Sequence, residues 1–162
     1  MSQPATIDGL AFARNAMQVR GRLELESMPR LARSGCSGSA VGFVLNGEIN
    51  QRGKPGLRLS VDGNVRLECQ RCLESLELPL RFEVQLGLAS SEAEIMAADD
   101  EDDVDRILTG REMNLAALVE DEVLLALPMV PKHERCEAAT VLEGNAKPSV
   151  FQGLAVLKKL SR

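Results

Sequence analysis

Two stretches of strict alternation leave this chain little choice of architecture. Leu57, Leu59, Val61, Val65, Leu67 and Cys69 all fall on odd positions, and Leu76, Leu78, Leu80, Phe82, Val84, Leu86 and Leu88 all fall on even ones. A period of two puts each set on one face of a strand, so both stretches read as long half-buried strands. Asp62-Gly63 interrupts the first set without changing its parity. That predicts one strand with a bend or bulge at Gly63 rather than a hairpin. Pro79 sits on the solvent parity of the second set and predicts an edge or a strand beginning. Shorter alternations come earlier, at Val19, Gly21, Leu23 and Leu25 and at Val41, Phe43 and Leu45. Asn46-Gly47 after them reads as a two-residue hairpin turn, because both positions tolerate positive φ. Gln51–Gly56 reads as a turn or loop tip. Four Phe are the only aromatic residues, so the core must be aliphatic.

The helical pattern is concentrated in Asn114–Cys136, the longest apolar segment. Asn114 is a good N-cap for a body over Leu115–Leu127, and Pro128 forces its preceding residue out of the α region. Ser149 after Pro148 predicts a last short helix through Val150, Leu154 and Leu157, with Lys158 and Lys159 in its final turn. Between strands and helices, residues 89–105 are strongly acidic and read as a mobile solvated loop. The fold class expected is α+β: a curved antiparallel sheet of roughly four to six strands. A central helix and a short C-terminal helix pack on it, within one domain over residues 1–162.

Charge bounds the function. The net charge is −5, with no Trp or Tyr. A non-specific nucleic-acid binder wants a basic surface and stacking aromatics, so any RNA role is expected to be indirect or confined to a local patch. No run is long and apolar enough to cross a bilayer, and no signal peptide is recognisable. The chain is therefore expected in the cytoplasm, where thiols stay reduced.

Two hooks carry the metal chemistry the residues allow. Cys69-Gln-Arg-Cys72 lies where a strand runs out into a turn, and His133-Glu-Arg-Cys136 follows the Pro-rich exit of the central helix. Brought together, Cys69, Cys72, His133 and Cys136 would form a tetrahedral Cys3His site suited to structural zinc. Free thiols are the alternative. A thiol oxidoreductase fits less well, because activated thiolates usually sit at a helix N-terminus and Leu73–Leu76 leads into a strand. Cys36 has no partner in its segment and reads as a loop or core residue. Glu120, Asp121 and Glu122 lie about 100° apart around a helix, so they form no carboxylate dyad. Glu122 falls among Leu115, Leu118 and Leu125 and is expected to pair with Arg71 or a backbone amide. No activated nucleophile and no phosphate-binding loop is visible, so no enzyme is indicated.

Three segments resemble the YceD family, the large ribosomal RNA subunit accumulation proteins. They are VRLECQRCL at Val65–Leu73, LAALVEDEVLLALPMVPKH at Leu115–His133 and the closing PSVFQGLAVLKKL. The matching motif positions are Cys69, Arg71, Cys72, Glu120, Asp121, Glu122, Pro128, Pro131 and His133. The resemblance implies a non-catalytic role in synthesis, processing or stability of 23S ribosomal RNA. Partners would be ribosome-assembly or rRNA-processing proteins, or pre-ribosomal particles. Some members carry further cysteine pairs near the C-terminus; this chain has only Cys136 there, beside His133. A small zinc-stabilised interaction module without an RNA role stays open as the alternative.

Overall fold

A computed structural model describes residues 6–96 and 104–138. The expected loose N-terminus, the acidic run at 99–103 and the C-terminal helix after Ser149 fall on residues outside these. Among the described residues, the alternating stretches become a curled five-stranded sheet in the order β2-β3-β4-β5-β6. β2 is Gln18–Glu24, β3 is Ala40–Ile49, β4 is Pro55–Glu68, β5 is Ser75–Ala89 and β6 is Arg106–Leu108. A second, two-residue ribbon pairs β1 (Thr6–Ile7) with β7 (Met113–Asn114).

β4 is one continuous strand, as its parity requires. Its register against β3 and β5 runs through Gly63 without slipping, Val41 opposite Gly63 and Gly63 opposite Leu80, so no bulge interrupts it. β6 covers only Gly87–Ala89 of β5, which leaves β5 a sheet edge at Pro79 among the described residues. β6 also runs parallel to β5, unlike the other pairings. Residues 90–105 supply the dozen or more residues such a crossover needs. Within that connection Glu92–Met96 form a helical turn, α3, where a loop is expected.

The Asn46-Gly47 hairpin does not exist. Both residues lie inside β3, opposite Arg58 and Leu57. The chain turns at Asn50–Lys54 instead, where the Asn50 side chain accepts the N–H groups of Arg52 at 3.0 Å and Lys54 at 2.8 Å. Gly53 supplies the positive φ of 73°. Gly47 is a glycine for another reason: α1 (Gly9–Arg14) lies on it so closely that a Cβ would stand 2.3 Å from the Phe12 carbonyl oxygen.

One face of the sheet buries the odd residues of β3 and β4 and even residues of β5. Phe12 and Ala13 of α1, Met28, Leu31 of α2 (Pro29–Arg33) and the inner face of α4 (Leu115–Ala126) cover it. Each fully buried Leu contributes roughly 1.5–3 kcal/mol. Cys36 is buried in this core. α4 spans Leu115–Ala126, capped by Asn114 through the Ala117 N–H at 3.0 Å. Leu127 leaves the helix at φ −69°, ψ 140°, the extended conformation Pro128 demands.

Candidate metal centre and the clamp beneath it

Cys69 immediately follows β4 and is fully buried. The chain folds back at once: the Cys69 N–H reaches the Glu74 carbonyl at 2.9 Å and the Leu73 N–H reaches the Cys69 carbonyl at 2.8 Å. Closing this turn places Leu73 at φ 62°, a left-handed conformation unusual for leucine. The segment after Pro128 then docks against the turn, with the Gln70 N–H donating to the Pro131 carbonyl at 2.8 Å. The His133 N–H points at the Cys69 sulfur at 3.4 Å.

The result gathers Cys69, Cys72, His133 and Cys136, whose ligand atoms all lie within 4.8 Å of one another. The Cys69 and Cys136 sulfurs are 3.7 Å apart, and the Cys72 sulfur lies 3.3 Å from His133 Nδ1. Tetrahedral zinc with bonds of the usual length separates two sulfurs by about 3.8 Å and a sulfur from a nitrogen by about 3.5 Å. Those two pairs are close to that spacing, and three thiols with one imidazole are a set of donors that suits zinc.

Burial pushes the Cys69 thiol up, but the backbone N–H groups of Cys72, Arg71 and His133 outweigh it and bring it down to about 5. At Cys72 the Glu74 N–H favours the thiolate, yet burial and the neighbouring Cys69 and Cys136 sulfurs hold the thiol above its ordinary value. A low thiol suits a metal ligand and a redox nucleophile alike. Burial separates the two readings, because redox thiolates are partly exposed and Cys69 is sealed behind the second hook. Arg71 lies across both hooks. Its Nε points at the Cys136 sulfur at 3.0 Å, and one terminal nitrogen donates to the His133 carbonyl at 2.6 Å.

Arg71 is therefore not the partner of Glu122. Glu122 is 8% exposed and, among the described residues, has no hydrogen-bond or ion-pair partner. Burial, followed by Asp121 and Asp105, holds its carboxyl above the usual range. The ion pair belongs to Glu120, also buried, on the opposite side of α4. Glu120 Oε1 accepts the N–H groups of Arg30 at 2.5 Å and Leu31 at 3.1 Å, and Oε2 accepts Arg30 Nε at 2.9 Å. The same guanidinium donates to Asp121 and, at 3.2 Å, to the Ala117 carbonyl. α4 thus caps the start of α2 with a carboxylate. Arg30 escapes sequence reasoning because 90 residues separate it from Glu120. Of the two motif prolines, Pro128 is exposed and Pro131 is half-buried against Gln70.

The family model of the large ribosomal RNA subunit accumulation protein YceD matches residues 57–160. A relative from Haemophilus influenzae bearing that name is 31% identical, the alignment covering 96% of each chain. The chain belongs to the YceD family. The stretch matching the YceD model holds both hooks and all of α4, whereas Arg30 lies outside it. No solved structure matches the chain. No helix among the described residues is long and apolar enough to cross a membrane.

Proposed function

We propose that this protein is a non-enzymatic cytoplasmic factor for 23S ribosomal RNA, serving its synthesis, processing or stability. It works through contacts with assembly proteins or pre-ribosomal particles. The observation that carries this reading is the end-to-end match to a relative named for accumulation of the large ribosomal RNA subunit. That name describes an outcome for an RNA rather than a reaction.

The Cys3His end is the working surface in this reading, with zinc held by Cys69, Cys72, His133 and Cys136. Zinc there supplies a cross-link between the β4 turn and the α4 exit. The support is the gathering of the four donors within 4.8 Å together with exposed apolar residues on the same two segments. Leu73 on the turn is 58% exposed, and Met129 and Val130, just before Pro131, are 100% and 56% exposed. Apolar side chains left in water beside this cluster suit a protein contact better than an RNA one.

The test is deletion of the gene, followed by the ratio of 23S to 16S RNA and by capture of partners on the tagged full chain. A lowered ratio, restored by the wild-type chain, together with ribosomal material on the bait, is expected. An unchanged ratio and a bait free of ribosomal material would leave the zinc-stabilised interaction module as the better reading.

A further inference from the structure

We propose that Arg71 is a positioning residue for metal at the Cys3His site, neutralising the charge of the bound centre and holding the second hook in reach of the first. The proposal rests on the zinc reading given above and adds a role for a side chain that is not itself a ligand.

Arg71 lies between the two cysteines of the first hook, and every acceptor its side chain reaches belongs to the second. Its Nε is 3.0 Å from the Cys136 sulfur, and a terminal nitrogen is 2.6 Å from the His133 carbonyl and 3.5 Å from that of Glu134. Two consecutive carbonyls and a sulfur read by one planar group fix the orientation of the His133–Cys136 segment. A point-charge ammonium cannot reproduce that fork. The second effect is electrostatic. Three thiolates and a neutral imidazole around a divalent ion leave a net charge of −1. Three of the four ligand side chains are only half-buried. The Arg71 guanidinium, donating to Cys136, brings the centre to neutrality and withdraws electron density from that sulfur. Cys69 and Cys72 take their N–H donors from the backbone, so no side-chain substitution removes those. Cys136 is the thiol whose donor is a side chain, and Arg71 is that donor.

The experiment compares the full chain with Arg71→Ala and Arg71→Lys, using zinc in competition with a chromophoric chelator and cobalt(II) as a spectroscopic probe. Arg71 is exposed, so both variants should keep the wild-type far-UV spectrum. Arg71→Ala should weaken zinc binding by about 10–100-fold, with Arg71→Lys in between. In the cobalt form the sulfur-to-metal charge-transfer band of Arg71→Ala should move to longer wavelength, because Cys136 loses its N–H donor. A purely structural role would leave that band in place. Zinc affinity within twofold of wild type and an unmoved band in Arg71→Ala would overturn the proposal while leaving the metal reading intact. A wild-type chain that takes up neither zinc nor cobalt would overturn both.

Discussion

Replacing Glu120 with alanine removes the acceptor that joins α4 to the start of α2. The carboxylate is 4% exposed and takes three donors: two backbone N–H groups of α2 and the Arg30 Nε. Arg30 keeps its bonds to Asp121 and the Ala117 carbonyl, so its charge is not stranded. The loss is concentrated on the N–H groups of Arg30 and Leu31. At about 1–3 kcal/mol for each of these two donors left without a partner, the expected cost is about 2–6 kcal/mol. For a chain of this size that lowers Tm by about 4–24 °C. Glu120→Gln keeps one carbonyl oxygen for the backbone donors and should fall between alanine and wild type.

The pH dependence supplies a second check on the same residue. Burial opposes the Glu120 carboxylate, but the Arg30 side chain and the Leu31 and Arg30 N–H groups hold its folded pKa below the ordinary value. A depressed carboxyl contributes stability above its unfolded pKa of about 4.3 and loses it as pH falls through the folded value. Thermal melts of wild type and Glu120→Ala should therefore differ most near neutral pH and converge below about pH 4. A Tm difference under about 2 °C at pH 7 would refute the idea that this carboxylate fixes α2.

Glu122→Gln should raise stability near neutral pH, on the order of 1 kcal/mol, because it removes an unpaired charge from a buried position. Here the folded pKa is raised, so the wild-type penalty grows as pH rises from the unfolded value through the folded one. The gain should accordingly vanish in acid, and a gain that persists at pH 4 would contradict the assignment. Gly47→Ala should cost about 1–3 kcal/mol, since the added methyl meets backbone of α1 that cannot rotate away. A hairpin glycine would instead show its loss through φ, so a stable Gly47→Ala protein would argue that α1 does not lie there. Chelator added to the zinc-loaded chain should lower Tm yet preserve the strand signal in circular dichroism. None of the three hook cysteines belongs to the apolar core cluster, and complete unfolding by chelator would show that the core depends on the metal.

The sheet was legible because alternation is a local signal. Parity alone carried β4 through Gly63, and Asn114 and Pro128 marked the ends of α4 by their own backbone chemistry. The two hooks were visible as residue types. Their juxtaposition follows from Pro128 sending the chain back towards Gln70. What could not be read locally was which neighbour each face of α4 meets. Glu120 and Glu122 point about 200° apart, and a helix covered on one side only would expose one of them. α4 is instead held between α2 and the sheet, so both are buried and only Glu120 finds a cation. Asn46-Gly47 misled for a related reason. A strand glycine serves close approach of another backbone as readily as a turn, and the choice is made by α1, more than thirty residues upstream of the glycine it covers. The parallel β6 was likewise decided by the crossover rather than by its own three residues.

The spacing of the hooks also sets an order in time. Cys69 and Cys136 are 67 residues apart, so at roughly 5–20 residues per second the first hook is made about 3–13 s before the second. During that interval two thiols wait at the end of β4 with the second hook still to be made. The fourth donor arrives only after β5, the crossover and α4 have been translated. An assembled four-donor centre on a growing chain therefore dates the moment at which the sheet has closed.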